Sequence, residues 1–181
     1  MIIGNKDTFG FEIKKESESE HTSKLTVFAN GKNICEYIDS NGNKRKNIFW
    51  DNDELISYLN DTINFFYEND PFPVQCRGDY AAELDNNARD FDSENEDELD
   101  SYFDKLNDWS YKHSWRHARS GAIVPDLLFR VIDNQMEISW WTDYSDEGLS
   151  FTNSRGFILV EKNKYIEIIS NLFDAYNDMW K

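Results

Sequence analysis

The chain has 181 residues, with 35 acidic against 19 basic side chains, a formal net charge of −16, and 13 Phe, 9 Tyr and 6 Trp. Such a balance excludes a nucleic-acid surface, where Lys and Arg must neutralise phosphate, and disfavours an anionic membrane surface. The aromatic content excludes an acidic disordered tail.

From the N-terminus, Phe9-Gly10-Phe11-Glu12-Ile13 alternates apolar and polar, the period of a half-buried strand. Residues 16–23 read as a polar loop. Leu25-Thr26-Val27-Phe28-Ala29 then meets Asn30-Gly31, a strong hairpin turn signal, and returns through 33–38. Asp39-Ser40-Asn41-Gly42-Asn43 is turn chemistry, and the basic Lys44-Arg45-Lys46 after it reads as a solvated loop.

Asp51 or Asn52 can cap a helix whose inward face is Leu55, Tyr58, Leu59, Thr62, Ile63 and Phe66, ending by Asn69 ahead of Asp70-Pro71-Phe72-Pro73. Residues 74–92 lack clear periodicity, apart from one helical turn near 81–84. Ser93-Glu94-Asn95-Glu96 fits a capping box. It predicts a helix running to about 119, with Leu99, Tyr102, Phe103, Leu106, Trp109 and His113 as its buried stripe and Gly121 as its C-cap.

Period two returns after Pro125. Residues 127–132 and 136–141 flank Asp133-Asn134 as a second hairpin, which places Trp140 and Trp141 on opposite faces. A short strand is expected around 149–151 and a buried one at 157–160. A last helix starts near Lys162 or Asn163, with Tyr165, Ile166, Ile169, Leu172, Phe173 and Tyr176 inward. The expected fold is α+β over a single domain, 1–181: an antiparallel sheet from two hairpins plus one further strand, with about three helices packed against it.

No apolar run approaches the roughly 18 residues of a membrane span, and the N-terminus lacks the basic-then-apolar pattern of a signal peptide. Cys35 and Cys76 are too few and too far apart for a disulfide scaffold or zinc knuckle. These features set the expectation of a cytoplasmic protein with two free thiols.

Charge is concentrated in one window. Twelve of the thirty residues 79–108 are acidic and only Arg89 and Lys105 are basic. Self-repulsion at this density opposes compaction, and a basic protein partner is the use that such a window suggests. The candidate partner-binding residues are Asp90, Asp92, Glu94 and Glu96, followed by Asp97, Glu98, Asp100 and Asp104. Tyr80, Leu84, Phe91 and Tyr102 would serve as apolar anchors within that charged rim. A solvated face that merely keeps the protein soluble is the competing reading.

Other chemistries find less support. His113 and His117, four apart on a helix, have a spacing that zinc sites use, but Ser114 stands where a metalloprotease carries its general base. Positive charge suited to a helix C-terminus is the simpler explanation. Laid on a calcium-binding loop pattern, Asp90, Asp92 and Glu94 fit, but Asn95 replaces the required Gly and Ser101 the bidentate Glu. No phosphate-cradling loop or nucleophile elbow occurs. No metal or cofactor is expected.

The opening segment 1–13, with the hairpin at Asn30-Gly31, resembles small immunity proteins of bacterial polymorphic-toxin systems. The block 113–141, with Pro125-Asp126, Phe129-Arg130 and Glu137-Ile138-Ser139-Trp140, looks like one in bacterial proteins linked to conflict and defence loci. This resemblance implies an acidic, intracellular, single-domain binding protein. The expected function is therefore a non-enzymatic antitoxin-like inhibitor that occludes a nuclease or another nucleic-acid-binding protein. A phage-encoded DNA mimic is one alternative, and a small metal-dependent enzyme or sensor using His113 and His117 is the other.

Overall fold

Alternation at the N-terminus builds the first sheet in the computed structural model, which describes residues 1–63 and 70–181. Its strands are β1 (Ile2–Gly4), β2 (Phe9–Ser17), β3 (Thr22–Ala29) and β4 (Lys32–Asn33), followed by β5 (Tyr37–Ile38), β6 (Lys44–Arg45) and β7 (Ile48–Trp50). Helices α1 (Asp53–Thr62), α2 (Ala81–Ala88) and α3 (Glu96–His113) come next. The chain closes with β8 (Leu127–Ile132), β9 (Gln135–Trp141), β10 (Ser150–Phe151), β11 (Arg155–Glu161) and α4 (Lys162–Met179).

The class is α+β and, among the described residues, all pairing is antiparallel, but the strands form three sheets rather than one: β1-β2-β3-β4 with β7 also on β3, then β10-β5-β6, then β11-β9-β8. The first hairpin explains why β5 leaves the first sheet. Asn30 and Gly31 both take positive φ, 52° and 73°, as a tight two-residue turn requires. Pairing nevertheless stops after Phe28↔Asn33 and Ala29↔Lys32. Cys35 turns inward, where its Sγ accepts the Val27 N–H, and the chain beyond it joins β6 and β10 instead. The main partner of β3 is β2. Lys44 and Arg45 are not a bare loop, since they pair with Glu36 and Asp39.

One core joins the first and third sheets. Phe9, Phe11, Leu25 and Val27 meet Leu127, Phe129, Ile138 and Trp140 across α1 and α4. The buried α4 stripe is Tyr165, Ile168, Ile169, Leu172 and Tyr176; Ile168 joins the expected face, and Ile166 and Phe173 lie at its partly buried margin. Glu161 caps α4 by accepting from the Asn163 and Lys164 N–H groups. At the start of α1, Asn52 makes no side-chain cap and instead donates to Ser23. The expected inward Phe66 and the helix end by Asn69 lie outside the described residues.

A second layer covers the outer face of the third sheet. Ala81, Ala82, Trp109 and Leu128 cluster there, with Phe72, Tyr80 and Trp141 against them. Trp140 therefore belongs to the main core and Trp141 to this second layer. With α2 extending over two turns, the described residues contain four α-helices rather than about three. Among them, no helix is long and apolar enough to cross a membrane.

Candidate partner-binding surface

The acidic window is anchored by groups that its own sequence does not contain. At the N-terminus of α2, the Ala81 N–H donates to Glu137 Oε1 at 2.6 Å and the Ala82 N–H to Ser139 Oγ at 3.0 Å. Both acceptors lie on β9, and Glu137 is only 1% exposed. Arg130 donates to the second oxygen of Glu137 through Nε and Nη2, at 3.1 and 2.8 Å. A strand carboxylate thus supplies the anion that a helix N-terminus favours. Sequence reading missed this role, because Glu137 and Ser139 alternate with Met136, Ile138 and Trp140 like residues of a solvent face.

Helix α3 begins two residues later than the capping box implied. Asn95, not Ser93, is the N-cap, and its side chain accepts from the Asp97 and Glu98 N–H groups. Ser93 instead donates to Glu98 Oε2. The helix also ends earlier, at His113. Ser114 turns extended to bridge Leu128, and Trp115–Ala118 form a separate 3₁₀ turn. Gly121 therefore lies in the turn beyond this 3₁₀ segment, not at the end of α3.

The early end overturns the shared helical face expected for His113 and His117. His113 is buried; its Nδ1–H donates to the Phe129 carbonyl at 2.6 Å and its Nε2 faces Asp70 Oδ2 at 3.0 Å. Both ring nitrogens are thus engaged by protein atoms. His117 stands apart near Ser110, and among the described residues no three His, Cys, Asp or Glu side chains converge as metal ligands.

All eight candidate carboxylates, Asp90, Asp92, Glu94, Glu96, Asp97, Glu98, Asp100 and Asp104, are exposed, and among the described residues none is in an ion pair. Within the wider window, Arg89 is taken by the buried Asp85, at 2.9 Å. The carboxylates of α3, which add the exposed Asp108 of the wider window to the candidates, divide by physical cause. Glu96, Asp97 and Glu98 occupy the first turn of α3, where the helix dipole favours them. Asp100, Asp104 and Asp108 have no such reason. They repeat every four residues, about 6 Å apart along the axis, on the face opposite buried Leu106 and Trp109. Like charges at this spacing cost roughly 0.2–0.5 kcal/mol per pair.

The proposed anchors are packed against neighbours and only partly reach solvent. Phe91 stacks on Tyr102 at 3.9 Å and Tyr80 on Phe157 at 5.3 Å, and Tyr80, Leu84, Phe91 and Tyr102 are all partly buried. The acidic face offers charge, with its aromatics stacked and partly covered.

A separate cavity of about 470 Å³ gathers Arg116, His117, Arg119, Asp126 and Tyr144. Arg119 donates to the Tyr144 hydroxyl at 3.0 Å, and that hydroxyl lies 3.4 Å from Asp126 Oδ1. Burial pushes the Asp126 carboxyl up, against the opposing effect of Arg116. Burial, then the Asp126 charge, pushes Tyr144 up to about 12. Partial desolvation and the Arg116 and Arg89 charges hold His117 below the usual imidazole value. Comparison with protein-family models, curated proteins and solved structures returns no match.

Proposed function

We propose that the protein is a non-enzymatic acidic binding protein that neutralises a basic partner, as an immunity- or antitoxin-like inhibitor of a nuclease or other nucleic-acid-binding protein. The observation that carries this reading is the exposed row Asp100, Asp104 and Asp108, which neither the helix dipole nor any ion pair among the described residues explains. Carboxylates in such a row stand where phosphates would sit on a basic surface, and the body of the domain blocks that surface sterically. Complementary charge of this kind mainly speeds association and enforces specificity. It is screened over about 8 Å at physiological ionic strength.

The test uses immobilised wild-type protein and an Asp100→Lys/Asp104→Lys/Asp108→Lys variant, challenged with a lysate of the source cells across a salt series. Wild type retains a basic protein that elutes as salt rises, and the variant loses it. Equal recovery at equal salt by both proteins overturns the reading.

The cavity beside the 3₁₀ turn favours a second reading, a small enzyme or ligand sensor, with His117 rather than His113 as its titratable group. Saturable binding of a small anion, abolished by Arg116→Ala while the fold is kept, would place this reading first.

A further inference from the structure

The third sheet ends in an edge strand that lacks the usual protection. Strand β11 is the terminal strand of β11-β9-β8, and it pairs with β9 over seven consecutive positions without a bulge. No other strand among the described residues covers its outer edge. Natural edge strands are blunted by Lys, Pro, bulges, shortness or an inward charge. Arg155-Gly156-Phe157-Ile158-Leu159-Val160-Glu161 has none of these, and its two charges stand only at its ends. The opposite edge of the same sheet is partly covered: Ser114 bridges Leu128 on β8, and His113 occupies the Phe129 carbonyl.

Alternation places Arg155, Phe157, Leu159 and Glu161 on the outer face of β11. Phe157 is 48% and Leu159 46% exposed there, two of nine exposed large apolar side chains among the described residues. The strand is also self-complementary. In an antiparallel pairing of two copies about Ile158, Phe157 of each copy faces Leu159 of the other. In the same register Arg155 of each copy stands opposite Glu161 of the other, at both ends. Cross-strand neighbours of opposite charge and of matched apolar character are what stabilise antiparallel pairs, and a twofold interface repeats each contact.

We infer that β11 is a homodimerisation edge, where a second copy of this chain pairs antiparallel about Ile158 and joins two three-stranded sheets into one of six strands. Helix α3 packs toward β8, at the far side of the sheet, so its exposed carboxylates lie away from this contact. Two chains of net charge −16 still repel over long range. Dimerisation therefore strengthens as salt rises, because exposed Arg–Glu pairs are worth little while apolar contact and strand pairing are not screened. This sign is opposite to that expected for a basic partner.

Sedimentation equilibrium of the full chain over a concentration series tests the inference. The apparent mass should climb from 21.4 kDa towards twice that value, at lower concentration in high salt than in low. Phe157→Lys and Leu159→Lys should each move the midpoint at least about tenfold higher while leaving the circular dichroism spectrum unchanged. Register is read by oxidation in a Cys76→Ser background. A mixture of Phe157→Cys and Leu159→Cys chains should cross-link, and either chain alone should not. A monomer at every concentration and salt, a dimer indifferent to both lysine variants, or cross-linking of the single variants as fast as the mixture would each overturn it.

Discussion

The Glu137 carboxylate accepts the Ala81 N–H at 2.6 Å, so a strand in the middle of the third sheet holds the first turn of the helix that opens the acidic segment. The same carboxylate takes two hydrogen bonds from Arg130. Removing one member of a buried charge pair typically costs about 3–5 kcal/mol, because its partner is left buried and unpaired. Glu137→Ala should therefore lower the unfolding free energy by about that amount, while Glu137→Gln, which keeps an acceptor for Ala81, should cost clearly less. Denaturant unfolding gives both values. Amide exchange within α2 should accelerate in the Ala variant before exchange in α4 does. Equal exchange in the two helices would count against the anchoring role.

Asp100, Asp104 and Asp108 repel one another along α3. Changing Asp104 to Asn removes two i,i+4 like-charge pairs, so it should stabilise the protein by roughly 0.4–1 kcal/mol at low ionic strength. The gain should fade in about 1 M salt, where screening shortens to about 3 Å. Thermal melts at the two ionic strengths measure it. A loss of stability at low salt would mean that Asp104 has a structural partner.

Gly156 lies where β11 crosses the Trp140 indole. A Cβ placed there would meet the ring at 2.6 Å, with further ring atoms at 3.1 and 3.2 Å. Trp140 is itself held by an Nε1–H bond to the Asn153 carbonyl at 2.9 Å, so its ring has little freedom to yield. Gly156→Ala should destabilise by about 1–3 kcal/mol through overpacking. An unchanged midpoint in denaturant would show that the ring can move aside.

Burial raises the Asp126 carboxyl above its ordinary value, so only between the ordinary and the raised value does the native protein keep a proton that the unfolded chain has released. Stability from this group is greatest below the ordinary carboxylate value and falls as pH rises through the interval up to the raised value. Asp126→Asn can still accept from the Tyr144 hydroxyl but carries no buried charge. It should raise Tm by roughly 1–3 °C at pH 7 and by less at pH 4. A uniform shift at both pH values would assign the effect to packing rather than ionisation.

Local pattern carries far in this chain because burial follows period. Alternation located β2, β3, β8 and β9, and the 3.6-residue stripes located α1, α3 and α4. The turn at Asn30-Gly31 and the split of Trp140 and Trp141 between two layers were also legible, since each depends on a residue's own geometry or on strand parity. The concentration of charge in 79–108 is a property of composition and needs no structure. Tertiary structure decided what those local signals meet. Cys35 turning inward ended the first hairpin, and the chain beyond it left the first sheet for β6 and β10. The Ser114 bridge to Leu128 stopped α3 at His113 and parted the two histidines. Glu137 looks like a solvent residue until α2 lies over it. Only the sheet order leaves β11 with an open edge while His113 and Ser114 cover part of the edge of β8. In each case the deciding partner is distant in the chain, and periodicity reports which face of an element is apolar, not what comes to cover it.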